Sequence, residues 1–207
     1  MTCVEIDTPH GPGRAHLRTV KNPRAALVLG HGAGGGVEAP DLVAARESAR
    51  SEGISVALVE QPYRVAGRRS PAHPPQLDAA WTAIVGRLRI DELGDLPLIV
   101  GGRSLGARVA CRTAEATGAV AVLCLAFPLE PPRRDRRPPK SRLAELDTVT
   151  LPTLIVQGER DPFGIPHPGP AREVVVVPGD HALKADLEAV AAAVRAWLGR
   201  VVAVGIA

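Results

Sequence analysis

Aromatic residues are nearly missing from this sequence: two Trp, two Phe and one Tyr in 207 residues, or 2%. A chain of this length still buries a sizeable core within one domain, expected to span 1–207. That core must be built from Ala, Val, Leu and Ile. Cysteine is also scarce. Cys3, Cys111 and Cys124 are an odd number without metal-ligand or redox spacing, which argues against a disulfide framework. Cys111 and Cys124 lie among apolar residues and are expected as small core fillers. Neither H-E-x-x-H nor paired Cys/His spacing occurs, so metal hydrolysis is disfavoured and no metal or cofactor is expected.

Met1–His10 shows no basic start followed by an apolar run, and no apolar stretch approaches the ~20 residues needed to span a bilayer. Neither a secretory signal nor a membrane partner is expected, and the expected compartment is the cytoplasm. Charge of one sign is not in excess: 25 Lys and Arg face 22 Asp and Glu, for a net charge of +3. Nucleic-acid binders concentrate their charge on one face, so nucleic acid is not an expected partner. Nothing in the composition speaks to oligomeric state.

What is present is a rhythm of short apolar runs, glycine-marked turns and longer helical stretches. Cys3–Asp7 and Ala15–Val20 alternate and read as an opening antiparallel edge. Residues 25–29, 54–59, 97–100, 120–127, 154–157 and 174–177 read as buried strands. Helices are predicted over about 41–51, 77–88, 107–116 and 183–198. The middle two start from an apolar stripe (Leu77, Ala80, Trp81, Ile84, Val85, Leu88) and from a glycine-marked turn. Strands alternating with helices imply a mostly parallel, doubly wound sheet with helices on both faces. Only Pro128–Arg142 breaks the rhythm, with five prolines and six basic residues. This loop is expected near the mouth of a site, and 201–207 as a C-terminal tail. No insertion is large enough for a lid domain.

The chemistry-bearing motifs all fall at the carboxyl ends of strands, where ligands bind in such sheets. Gly102-Arg103-Ser104-Leu105-Gly106 is a G-x-S-x-G pattern between an apolar strand and a helix, the setting of a nucleophile elbow. The glycines relieve crowding where a strand reverses sharply into a helix, and the serine oxygen projects at the helix N-terminus. The bland alternative is a glycine-rich turn whose serine merely caps the helix.

His31-Gly32-Ala33-Gly34-Gly35-Gly36 leaves the third strand, where one oxyanion-hole N–H is supplied in this architecture. Ala33 and Leu105 are the predicted donors. The loop lacks the Gly-Lys-Ser/Thr ending of a P-loop, which argues against nucleotide binding. His31 is expected to fix the loop by a side-chain hydrogen bond.

A serine hydroxyl needs a base, and chain order in such folds runs Ser, Asp or Glu, then His. Asp161, in Gly158-Glu159-Arg160-Asp161-Pro162, is the predicted acid, with Glu159 and Asp180 as rivals. His181, in a loop before the last helix, is the predicted base. His10, His16, His73 and His167 are expected as solvated surface residues. Tyr63, Arg68 and Arg69 are candidate substrate contacts, the arginines suited to a carboxylate or phosphate.

With these residues in hand, the chain resembles the α/β-hydrolase superfamily. More closely, it resembles the small dienelactone-hydrolase-related group that includes the KANL and testis-expressed hydrolase-like proteins. The resemblance rests on Leu29-Gly30-His31-Gly32-Ala33-Gly34, Gln61-Pro62-Tyr63 followed by Gly67-Arg68-Arg69, and Gly101-Gly102-Arg103-Ser104-Leu105-Gly106-Ala107-Arg108. It continues through Phe127-Pro128-Leu129-Glu130-Pro131-Pro132, Leu154–Gly164 and Gly179-Asp180-His181-Ala182-Leu183-Lys184. It implies an α/β-hydrolase fold without a large lid, and Ser104, Asp161 and His181 as a triad. The implied function is a serine hydrolase acting on esters or thioesters of small acyl substrates through an acyl-enzyme. Glu130 departs from the histidine often found there. Some relatives act as subunits of complexes, so a non-catalytic interaction protein on the same fold is the alternative.

Overall fold

The computed structural model describes residues 2–131 and 141–203. Eight strands form one sheet in the order β1-β2-β4-β3-β5-β6-β7-β8. They are β1 Thr2–Ile6, β2 Gly13–Arg18, β3 Ala25–Gly30, β4 Ile54–Glu60, β5 Leu98–Arg103, β6 Ala121–Leu125, β7 Thr153–Gly158 and β8 Arg172–Val177. β1–β2 and β2–β4 pair antiparallel, and every other pair is parallel. The antiparallel opening edge is as predicted.

Among the described residues six α-helices flank the sheet, α1 Pro40–Ser51, α2 Pro62–Val65, α3 Pro74–Leu88, α4 Leu105–Thr113, α5 Leu143–Asp147 and α6 Leu187–Ala203, and a π-helical turn, Arg89–Leu93, continues α3. β3 shows why both faces are covered. Ala26 and Val28 join the core beneath α3 and α4, with Trp81, Ile84 and Val109, whereas Ala25, Leu27 and Leu29 join Leu42, Ala45, Val194 and Trp197 of α1 and α6. A strand alternates its side chains between faces, so a wholly apolar strand feeds two cores at once. The apolar stripe predicted for α3 is its buried face.

The helix boundaries depart from expectation in three places. α6 begins at Leu187 rather than 183, because residues 178–186 form turns in which Leu183 adopts φ 50°. Ala203 is still helical, so the expected tail from 201 is shorter by at least three residues. The Pro-rich loop after β4 contains the short α2, with Pro62 at its first turn where a missing N–H is harmless. Most of the Pro- and Arg-rich loop, 132–140, lies outside the described residues, as does 204–207.

The chain runs from β3 to β4 on one side, then crosses β3 to lay down β5 on the other. The connections leaving β3 and β5 therefore diverge, opening a crevice at their carboxyl ends. The glycine-rich loop and the G-x-S-x-G motif both leave the sheet there.

Candidate active site

Ser104 sits between β5 and α4 at φ 52° and ψ −105°, a left-handed conformation that is costly for a residue with a side chain. The turn is over-determined by its neighbours. A Cβ on either Gly102 or Gly106 would run into the Gly30 carbonyl, so these glycines let the elbow lie directly against the end of β3. The Ser104 N–H donates to the Leu125 carbonyl at 2.9 Å, and its own carbonyl accepts the first helical bond from the Arg108 N–H.

The three residues predicted to act together do converge. His181 Nε2 lies 2.9 Å from Ser104 Oγ, and His181 Nδ1 lies 2.8 Å from Asp161 Oδ2. The carboxylate can only accept there, which places the imidazole proton on Nδ1 and leaves Nε2 free to accept from the serine hydroxyl. Asp161 is fully buried at its side chain, with no freedom to turn. Its Oδ2 also accepts from Gln157 Nε2 at 2.8 Å, and its Oδ1 accepts from the Phe163 N–H at 2.9 Å. Backbone pairing beyond β7 and β8 brings the two loops together: Glu159 N–H donates to the Val177 carbonyl and Arg160 N–H to the Gly179 carbonyl. The Phe163 ring lies over the imidazole at 4.4 Å between centroids.

The rival carboxylates are placed elsewhere. Glu159 is exposed and pairs with Arg160 at 2.6 Å, while Asp180 is exposed and accepts from the Ala182 N–H. Of the other histidines, His10, His73 and His167 are exposed. His16 differs from expectation: it is half-buried on β2 and pairs across the strands with Glu60 at 2.9 Å.

The glycine-rich loop passes beside the elbow, with Gly32 packed against Ser104. Leu105 opens α4, where the first N–H groups have no helical acceptor. Among the described residues neither the Ala33 nor the Leu105 N–H has a protein acceptor. His31 holds the loop as expected. Its Nε2 accepts from the Gln61 N–H at 3.2 Å, so Nδ1 carries the proton and donates to the Gly32 carbonyl at 2.8 Å. Burial holds this imidazole below its ordinary pKa.

Tyr63, one of the candidate substrate contacts, supports the glycine-rich loop. It is buried, and its hydroxyl donates to the Ala33 carbonyl at 2.9 Å. Burial pushes the phenol up to about 12, so it stays a donor throughout the physiological range. Its ring also borders a cavity of about 340 Å³, together with Gln61, Leu77 and Arg68. No triad residue lines that cavity. Arg68 and Arg69 are exposed, and the structure does not bring them to Ser104. Glu130, by contrast, is near the site, its N–H donating to the carbonyl of Phe163.

Three supporting residues escaped the sequence reading. Gln157 Nε2 lies within hydrogen-bond distance of the Phe127 and Gly164 carbonyls as well as Asp161 Oδ2, so its two hydrogens are shared among three acceptors. It was visible in principle, as one amide in an otherwise apolar strand. Arg103 occupies a variable position of its motif, and Asp41 looks like an ordinary acid at a helix start, so neither carried a signal.

The comparisons with known proteins agree with this architecture. A family model described as an alpha/beta hydrolase domain matches residues 23–188. The chain belongs to the alpha/beta hydrolase domain family. No curated protein matches the sequence. Among solved structures, this alpha/beta hydrolase is similar to XC6422 from Xanthomonas campestris, described as an a/b serine hydrolase without lid. They share 18% identity at a TM-score of 0.76, over 96% of this chain and 94% of that one. It is similar to Est1E from Butyrivibrio proteoclasticus, with 19% identity, a TM-score of 0.76 and coverage of 97% and 99%. It is also similar to a dienelactone hydrolase from Anabaena variabilis, with 16% identity, a TM-score of 0.74 and 95% of both chains covered. Such identities establish the fold alone. Among the described residues no helix is long and apolar enough to cross a membrane.

Proposed function

We propose that this alpha/beta hydrolase is a serine hydrolase that cleaves ester or thioester bonds of small acyl substrates. The observation that carries the reading is the unbroken hydrogen-bond chain from Ser104 Oγ through His181 to Asp161. In this reading His181 Nε2 takes the Ser104 proton as the oxygen attacks the substrate carbonyl carbon. Asp161 holds the imidazolium that forms. The carbonyl oxygen becomes an oxyanion that accepts from the Ala33 and Leu105 N–H groups, a contribution typically worth ~100- to 1000-fold per donor. His181 then returns the proton to the departing alcohol or thiol, leaving an acyl-serine. Water, deprotonated by the same imidazole, attacks the acyl-serine carbonyl, and the imidazolium returns that proton to Ser104 Oγ as the acyl–oxygen bond breaks and the acid is released.

Several features support small or exposed substrates. The likeness to a hydrolase without a lid fits an open site, and Glu130 stands beside it through the bond of its N–H to the Phe163 carbonyl. Within the family we place the chain with the dienelactone-hydrolase-related KANL and testis-expressed group, on the motifs at Gln61-Pro62-Tyr63 and Phe127–Pro132.

Turnover of short p-nitrophenyl esters and thioesters, compared with Ser104→Ala, tests the proposal. The variant is expected to fold normally and to lose more than 1000-fold in kcat, on the scale of ~10⁶ for loss of a triad serine. A fluorophosphonate probe should label the wild type at Ser104. A folded wild-type protein that neither labels nor turns over any ester would leave a non-catalytic interaction protein as the better account.

A further inference from the structure

Arg103 stands immediately before the candidate nucleophile, yet its side chain turns away from the catalytic hydroxyl and reaches three other segments. Nη2 donates to the backbone carbonyl of His181 at 3.0 Å. Nε lies 3.0 Å from Asp41 Oδ2, in the first turn of α1. Nη1 passes so close beneath Gly32 that a Cβ there would lie 2.6 Å from it. The segments touched are the loop carrying the imidazole and the loop carrying the Ala33 N–H. The third is the helix that follows the latter loop.

The chemistry of the contacts favours rigidity. Arg103 is four-fifths buried and Asp41 almost wholly so. Asp41 Oδ1 is already used by the Leu42 N–H at 3.0 Å, and Oδ2 meets the guanidinium without hydrogen-bond alignment, so the ion pair is held by charge and proximity. Burial raises the Asp41 carboxyl and Arg103 opposes that rise, so the carboxylate depends on the guanidinium to stay charged in the interior. A planar guanidinium fixed by a buried counter-ion presents its remaining N–H groups in a set direction. Here one of them is aimed at the carbonyl of the presumed base.

We infer that Arg103 is a positioning residue, clamping the His181 loop to the glycine-rich loop and so fixing the distance between general base and oxyanion donors. The inference rests on the hydrolase reading above. Arg103 touches no reacting atom. It acts by holding two parts of the machinery that belong to different strands, where misplacement by ~1 Å typically costs on the order of 100-fold in rate.

Replacing Arg103 alone would strand a buried carboxylate, so the test pairs Asp41→Asn with Asp41→Asn/Arg103→Met. Asp41→Asn keeps the bond to the His181 carbonyl and should lose no more than about threefold in kcat. The double variant leaves no unpaired charge, and its kcat for a short ester should fall a further ~10- to 100-fold with KM within about twofold. Arg103→Lys, with one ammonium for three contacts, should fall between the two. The downfield proton resonance of His181 Nδ1–H, read without turnover, should shift or broaden in the double variant and hold in Asp41→Asn.

A folded double variant as active as Asp41→Asn overturns the inference. So does a rate loss matched by an equal rise in KM, which would make Arg103 a substrate contact. A rate loss with an unmoved imidazole resonance also overturns it, since the guanidinium would then act by charge alone. Failure of the hydrolase reading looks different: the wild type itself would neither label nor turn over, while the resonance comparison would still report on the clamp.

Discussion

Asp161→Asn changes one atom of a buried carboxylate whose two oxygens both accept hydrogen bonds. The Phe163 N–H requires an acceptor at the Oδ1 position, so the Asn oxygen must stay there and its NH₂ must take the Oδ2 position. That NH₂ then faces two donors, Gln157 Nε2 and His181 Nδ1–H. Gln157 cannot turn its amide over, because its Nε2 also serves the Phe127 and Gly164 carbonyls and would lose both. The imidazole can yield, by moving its proton to Nε2. It would then present a donor to Ser104 and lose its capacity as a base. A triad with the wrong tautomer typically loses ~10⁴ in kcat, equivalent to about 5.5 kcal/mol of barrier. The remaining clash between two buried amide groups should destabilise the fold by about 1–3 kcal/mol. At roughly 2–4 °C per kcal/mol for a chain of this size, thermal melting should register it. The assay is ester turnover beside the rate of fluorophosphonate labelling, both on protein shown to be folded by circular dichroism. A variant keeping kcat within tenfold of wild type would refute the tautomer argument and with it the role given to Asp161.

Tyr63→Phe removes the donor to the Ala33 carbonyl without emptying the core, and ester kinetics should show kcat down by roughly 2- to 10-fold with melting nearly unchanged. His31→Phe leaves the buried Gln61 N–H without its acceptor and should lower stability by about 1–3 kcal/mol in urea unfolding at neutral pH. In the wild type the lowered pKa of His31 favours its neutral form, so its contribution is present above the ordinary histidine value of 6.5 and declines as pH falls toward the folded value. That decline should vanish in His31→Phe when unfolding is repeated below pH 6.5. Glu145, despite the opposing effect of burial, is held below its ordinary value by Arg108 and Arg112. Its contribution is complete above 4.5 and fades as pH falls through the lowered value, so Glu145→Gln should flatten the acid limb of the stability curve.

Much of this was legible because two periodicities are strong in the sequence. The buried strands and the stripe on α3 follow from alternation and helical spacing, and these decide the doubly wound sheet. The convergence of Ser104, Asp161 and His181 was legible because chain order and strand ends constrain where each can lie. The support given by Tyr63 was not legible, because a tyrosine beside arginines in a polar loop carries no local sign of burial. Only its packing under the glycine-rich loop reveals a buried hydroxyl aimed at a carbonyl. The late start of α6 was hidden for a related reason. Residues 183–186 suit a helix locally, but the left-handed backbone at Leu183 is imposed by the turn that carries His181. Arg103 and Gln157 act through contacts distant in sequence, which no local pattern encodes.

Among the described residues β8 has no strand on its outer side, and its Val176 is half exposed. The imidazole at residue 181 therefore hangs from the border of the sheet, whereas the Ser104 hydroxyl hangs from its middle. Border strands open more readily than enclosed ones. In the proposed mechanism, loosening this rim would separate base from nucleophile while the interior stays folded, and loss of turnover would be an early sign of structural wear.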